Sequence, residues 1–351
     1  MAARRILPIA EPELVSYPHL AFPLAMLQTD NDAQRWVYSN YVQLYLSDRV
    51  DEMMMDFFTP NPFDYFVPIL YGSPRTNRTL VRKSYPSFVD FVRVTIDEDY
   101  YLWTHVDEFY IPGTTAYQNK SYPHGIMIHG YDDERKVFHV VGFLSNQRYG
   151  SGVVGYDDME RAYFDFELPE WKAYAEHSIL LKTYPGFLKA NAFNLQWVMD
   201  QLQDYLHAKP SDQRMPAYEL QLPSPHAWGM DVYDRLQERL RRHIENTSYI
   251  VDHRSFFVLW EHKKMMNRRI AYMAREGYYA CSPETAAGWS DLEKQASVNL
   301  NLILKYWMTR DNKHLEQLIG RLGTMKADEA RIIERMLNEY GASSISKEEM
   351  E

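Results

Sequence analysis

The chain has 351 residues, 46% of them hydrophobic and 15% aromatic, which suits two domains, or one with a large appendage, and excludes a wholly disordered chain. With 38 Lys and Arg against 48 Asp and Glu it carries a net charge of −10, so it repels phosphate backbones, and nucleic acid is not an expected partner. The single cysteine, Cys281, rules out an internal disulfide or a cysteine-based zinc site, and the lack of any apolar run of secretory or membrane-spanning length predicts a cytoplasmic protein with no membrane partner.

In chain order, Leu20–Leu27 and Asn31–Leu46 carry helical spacing. Phe88–Thr95 alternates imperfectly and reads as a strand. Tyr100–Tyr110 reads as a buried aromatic strand that runs into a loop at Ile111-Pro112-Gly113. Gly125–Tyr131 and Val137–Phe143 flank the polar turn Asp132–Arg135 and predict a β-hairpin. Beyond about 185 the texture becomes helical: Ala190–His207, Met230–Asn246, Ser255–Glu276, Glu284–Thr309, Asn312–Gly320 and Ala327–Tyr340 repeat apolar residues every three or four positions. Pro210, Pro216, Pro223 and Pro225 mark an irregular connector, and Gly341 reads as the end of the last helix. The sequence thus predicts an α+β domain over 1–165, a connector with one helix over 166–226, a helical domain over 227–340 and a disordered tail over 341–351.

The sharpest chemical feature is Tyr122-Pro123-His124-Gly125, where a histidine opens an apolar strand. A rigidly held imidazole at a strand mouth suits a general base. The competing reading is a structural histidine that only makes hydrogen bonds. His129 lies an odd number of residues further on and should face the other way, and His139 sits on the partner strand, so these three histidines do not predict a metal site.

The stretches VDEFYIP (Val106–Pro112), HGIMIHGYDD (His124–Asp133), VGYDDMERA (Val154–Ala162), GMDVYDRLQERL (Gly229–Leu240) and DHRSFFVLWEHKKMMNRRI (Asp252–Ile270), in this order, resemble the butirosin biosynthesis protein H family. The resemblance spans roughly 15 to 340. It implies a papain-like, bacteriocin-peptidase-like N-terminal domain with an antiparallel sheet. It also implies an acyltransferase of antibiotic or nonribosomal-peptide biosynthesis. Such an enzyme moves an acyl group from the phosphopantetheine arm of an acyl or peptidyl carrier protein to a small amine or hydroxyl acceptor, with no further cofactor.

His124 matches the family's histidine. The family's nucleophilic cysteine has no counterpart here: Ala21 or Phe22 takes its place in Ser16-Tyr17-Pro18-His19-Leu20-Ala21-Phe22. The Asp or Asn expected after the histidine's strand is also absent, with Ser145 and Asn146 as the nearest substitutes. His124 then acts as a plain general base, with His19 and Ser16 as further catalytic candidates. Asp107, Tyr110, Tyr17, Phe22 and Tyr131 are expected to line the substrate pocket. Cys281, between two predicted helices, is expected to be inert. Arg235, Arg239 and Arg242, followed by Lys263, Lys264, Arg268 and Arg269, suggest a docking face for an acidic carrier, or a solvated face balanced by Glu238, Glu245 and Glu261. The rival to an enzyme is a degenerate binding protein that holds a carrier-bound or peptide intermediate. The pocket around 16–24 discriminates between them: Ser16 or His19 facing His124 favours chemistry, whereas Ala21 and Phe22 filling the space favours binding.

Overall fold

The computed structural model describes residues 3–49, 52–59, 73–165, 176–190, 192–214 and 226–348. In chain order these form β1 (Arg4–Ile6), α1 (Pro18–Leu27), α2 (Ala33–Ser39), β2 (Leu44–Arg49), β3 (Glu52–Phe57), β4 (Arg75–Asn77), α3 (Arg78–Ser84), α4 (Phe88–Asp97), β5 (Tyr101–Asp107), β6 (Pro123–Asp132), β7 (Val137–Phe143), β8 (Tyr149–Gly155), α5 (Tyr156–Phe164) and β9 (His177–Leu181). There follow α6 (Pro185–Ala190), α7 (Leu195–Leu206), β10 (His226–Trp228), α8 (Asp231–Glu245), α9 (His253–Arg275), α10 (Pro283–Thr309) and α11 (Lys313–Glu348). The chain is therefore a mixture of helix and antiparallel sheet with a helical C-terminal region. Among the described residues no helix is long and apolar enough to cross a membrane.

Two compact units divide the chain: Met1–Ala33 with Phe63–Asn191, and Gln34–Pro62 with Ala192–Glu351. Residues 34–62, read from the sequence as part of the first domain, thus group with the helices. Most of the proline-rich connector, with Pro216, Pro223 and Pro225, lies outside the described residues.

The first unit is built on an antiparallel sheet of order β4-β9-β5-β6-β7-β8, with β1 paired to the far end of β6. The expected hairpin is present as β6 and β7, which pair Ile126 with Gly142 and Tyr131 with Phe138. A bulge between Ile128 and Gly130 shifts the register, and the backbone of His129 bonds instead to Leu7, whose N–H donates to the His129 carbonyl at 2.8 Å. On one face lies α1, buried from Leu20 to Leu27. An apolar helix with no polar side belongs in an interior. The other face carries α4 and α5, where Phe88 stacks on Tyr163 at 4.0 Å and meets Phe138 of β7.

The strand expected at Phe88–Thr95 is instead the helix α4. Phe88, Phe91, Val92, Thr95 and Ile96 are its buried residues, a three-and-four spacing that outweighs the imperfect alternation. Ser87 caps it by accepting from Asp90 N–H at 3.1 Å while its hydroxyl donates to the Asp90 carboxylate at 2.7 Å. The helix expected over Asn31–Leu46 stops at Ser39: Tyr41 takes φ 56°, in the left-handed region, and the chain then extends into β2.

The second unit packs α7 to α11 with a small antiparallel sheet of order β10-β2-β3. The helices expected over 312–320 and 327–340 form the single helix α11, which passes Gly341 and runs to Glu348. An isolated glycine costs a helix only about 1 kcal/mol, which tertiary packing overrides. Ser282 caps α10 with Pro283 at its first position, and Arg310 closes it with φ 55°.

Candidate functional site

Strand pairing fixes the site. His124 opens β6 and stands opposite Val106 on β5. Glu108 lies two residues beyond Val106, and side chains two apart along extended chain share a face. Glu108 thus arrives beside the imidazole, and His124 Nδ1 lies 2.8 Å from Glu108 Oε1. A carboxylate only accepts, so in the neutral ring Nδ1 carries the proton and Nε2 presents its lone pair. Nε2 has no hydrogen-bond partner among the described residues. The Glu108 side chain is 9% exposed and that of His124 29%, which leaves a buried acid behind a half-open base.

The ring is held on its sides as well. Phe143, at the end of β7, meets it edge-on at 5.8 Å, and Tyr122 lies tilted at 5.7 Å. Val106, Ile111, Ile126 and Leu144 complete a small recess around the pair. Thr114 donates its hydroxyl to the Glu108 carbonyl at 3.1 Å, which ties the loop after β5 to the acid's backbone.

Asp107 does different work from its neighbour. It is buried, and it accepts from Phe109 N–H at 2.9 Å, from Ser121 Oγ at 2.6 Å and from Tyr122 N–H at 2.8 Å. One carboxylate therefore pins both ends of the segment that separates Glu108 from His124. Asp107, expected to line a pocket, is a clamp instead. Tyr110 is half-buried at the end of a 3-10 turn.

Other expected site residues lie apart from the imidazole. A side chain added at Gly125 would meet Pro18 at 3.5 Å and Phe22 at 3.6 Å, so the first turn of α1 packs on the Gly125 face of β6. Alternation turns His124 to the opposite face. The contacts of His124 are with Glu108, Tyr122 and Phe143, and do not include Ser16, Tyr17 or His19. Tyr17 stacks on His19 at 5.3 Å. Ala21 and Phe22 are fully buried, with Phe22 against Trp103 and Tyr149. The two positions expected from the sequence to stand where a nucleophile would are thus filled by packing. Tyr131 is buried as well; its hydroxyl donates to Asp97 at 2.8 Å, and burial together with that carboxylate pushes it up to about 12. It faces no pocket. Ser145 and Asn146 are exposed, and neither is a partner of His124.

Glu108 is the residue that the sequence reading missed. It stands in the VDEFY stretch beside Asp107, and only the pairing of Val106 with His124 distinguishes the two.

The basic clusters divide into buried structural residues and surface pairs. Arg239 is 1% exposed and donates to the Ile250 carbonyl at 2.8 Å, so it docks nothing. Arg235 and Arg242 both pair with Glu238, the solvated-face alternative. Lys263 is fully buried on Glu329, and Arg269 is buried on the carbonyls of Tyr38, Asn40 and Tyr41. Cys281 is half-buried, and burial with nearby Glu339 pushes its thiol up, away from the reactive thiolate.

His129 and His139 lie 6.2 Å apart, and burial holds both below the ordinary histidine value. Among the described residues no group of three or more His, Cys, Asp or Glu is arranged to hold a metal ion. No family model matches the chain, and no curated protein matches it.

Proposed function

We propose that the first unit is an acyl-transfer domain in which His124, oriented by Glu108, acts as general base. The observation that carries this reading is the 2.8 Å bond from Nδ1 to a buried carboxylate, which leaves Nε2 unpartnered on a half-exposed ring. The papain-like scaffold rests on the resemblance of motifs; the buried helix α1 packs on an antiparallel sheet, with His124 turned to the sheet face opposite to it. The substrates follow from the resemblance of the motifs to a natural-product acyltransferase family: a carrier-protein thioester as donor, and an amine or hydroxyl as acceptor.

Without a cysteine on α1 the transfer is direct. Nε2 takes the proton from the acceptor amine as its nitrogen attacks the thioester carbonyl. The C–N bond forms, the C–S bond breaks, and the imidazolium returns the proton to the departing thiolate. Such proton transfer is worth roughly 10²–10⁴ in rate.

A second reading, a binding protein without turnover, is favoured by Ala21 and Phe22, which fill the place where a nucleophile would stand. The two readings part on one experiment. Carrier-bound and N-acetylcysteamine thioesters are offered with amine acceptors, and thioester loss is compared with affinity. Turnover that falls roughly 10²–10⁴-fold in His124→Ala, with affinity kept, supports catalysis. Equal thioester loss with and without the unsubstituted protein, together with tight binding, supports the holder and ends the catalytic reading.

A further inference from the structure

We propose that Lys120 and Tyr122 form an anion-recognition subsite beside His124, so that the molecule held there carries a carboxylate or a phosphate. The inference rests on His124 being the functional centre, whether it acts as a base or only as a binding group.

The segment Glu108–Tyr122 is a closed loop of the Ω kind. Glu108 N–H donates to the Tyr122 carbonyl at 3.0 Å, and the Asp107 carboxylate bonds both ends. Gln118 N–H donates across the loop to the Phe109 carbonyl at 2.9 Å. Ile111 and Ala116 are buried, so the loop has a packed interior of its own. Gly113, at φ 88°, supplies the left-handed turn after Pro112. Lys120 is anchored on this frame through its N–H, which donates to the Ala116 carbonyl at 3.2 Å. Its backbone position relative to His124 is therefore set by the same bonds that set the Glu108–His124 pair.

The Lys120 ammonium lies 5.5 Å from the centre of the Tyr122 ring, and that ring lies 5.7 Å from the imidazole. The cation and the candidate base thus both lie against the same aromatic ring, close enough for one small molecule to meet both. Tyr122 is 38% exposed and offers a flat platform. Among the described residues no carboxylate pairs with Lys120. The acids at the start of the loop are occupied: Asp107 by three donors and Glu108 by His124. In a chain of charge −10, an ammonium without a carboxylate partner, resting on the ring that also meets His124, is a local attractor for an anion. The anion has two sources, the carboxylate of a small acceptor and the phosphate of a pantetheine arm.

Matched probes test this without turnover. The His124 imidazole resonance, assigned by its loss in His124→Gln, is followed by NMR against two pairs: N-acetylglycine with N-acetylglycinamide, and phosphopantetheine with pantetheine. At least one anion is expected to bind about fivefold more tightly than its neutral partner, the upper size of an exposed ion pair, and salt should shrink the preference. Lys120→Arg should retain the preference, and Lys120→Met and Lys120→Glu should abolish it. A preference confined to N-acetylglycine identifies the small acceptor, and one confined to phosphopantetheine identifies the carrier arm. Equal affinity within both pairs, or a preference that survives Lys120→Met, overturns the subsite. If the preference is present and thioester turnover is absent, the catalytic reading fails and the subsite stands. If neutral and anionic acceptors are turned over equally and bind equally, the subsite fails and catalysis stands.

Discussion

At Glu108 a buried carboxylate removes the choice of tautomer at His124, which is what a base needs before any substrate arrives. Asp107, its neighbour, acts one step back by holding the two backbone segments that carry the pair. Asp107→Asn keeps the side chain's shape and removes its charge. It should cost about 1–3 kcal/mol of stability through weakened bonds to Ser121 and Tyr122, readable as a lower urea midpoint. Cys281→Ser should leave both stability and turnover unchanged, since the thiol is raised by burial and stands in the other unit; an acyl adduct on Cys281 would contradict this. His124 was legible in the sequence because a histidine at a strand mouth is a local pattern. Glu108 was not legible, because its role depends on which residue of β5 faces His124 across the ladder. That register is a non-local fact, and adjacent acids look alike until it is known.

Among the elements, the hairpin of β6 and β7 was legible from two apolar runs and a polar turn. The α4 segment was misread because FVDFVRVT satisfies parts of both periods, and the deciding signal was Ser87 with Asp90 three residues later. Ser87→Ala should therefore destabilise the first unit by about 1 kcal/mol in chemical denaturation. The small sheet of β2, β3 and β10 was not legible, since its third strand joins from far along the chain. Gly229, which follows β10, has φ 50°, and an added Cβ would stand 2.1 Å from the Tyr205 carbonyl oxygen. Gly229→Ala cannot be absorbed by side-chain movement. It should unfold or strongly destabilise the second unit, seen as lost cooperativity in its thermal transition.

Across the second unit, part of the positive charge expected on a docking face, Arg239, Lys263 and Arg269, is buried instead. Lys263 of α9 pairs with Glu329 of α11, and Glu329 also accepts from Tyr233 at 2.5 Å. Lys263 donates to His262 Nδ1 at 2.9 Å, and His262 Nε2 donates to the Val42 carbonyl at 2.7 Å. Helical periodicity can mark Lys263 as basic, but not name a partner on a helix still to come. Removing one partner strands the other's charge, so Lys263→Met should cost about 3–5 kcal/mol. Burial first, and then Lys263, holds His262 well below the ordinary histidine value. The unfolded chain, with its histidine near about 6.5, therefore binds the proton more readily. Stability is full above that range and falls as the pH drops through it, until the folded group is itself protonated. The slope is at most about 1.4 kcal/mol per pH unit for this group. Urea midpoints at neutral and mildly acid pH check this. His262→Gln should flatten the acid loss, and an unchanged slope would remove His262 as a cause.

Base catalysis by a His–Glu pair with no acyl-enzyme is the central proposal. A single reaction tests it: an acyl thioester and an amine are mixed with the unsubstituted protein, His124→Gln or Glu108→Gln, while amide formation and the intact mass of the protein are followed together. A Gln at 108 can donate to Nδ1 and so favours the tautomer that cannot accept at Nε2. Amide should accumulate with the unsubstituted protein at unchanged mass, and each variant should slow it by roughly 10²–10⁴-fold. Amide formation at the same rate in all three proteins, or a protein mass raised by one acyl group during turnover, would contradict the account.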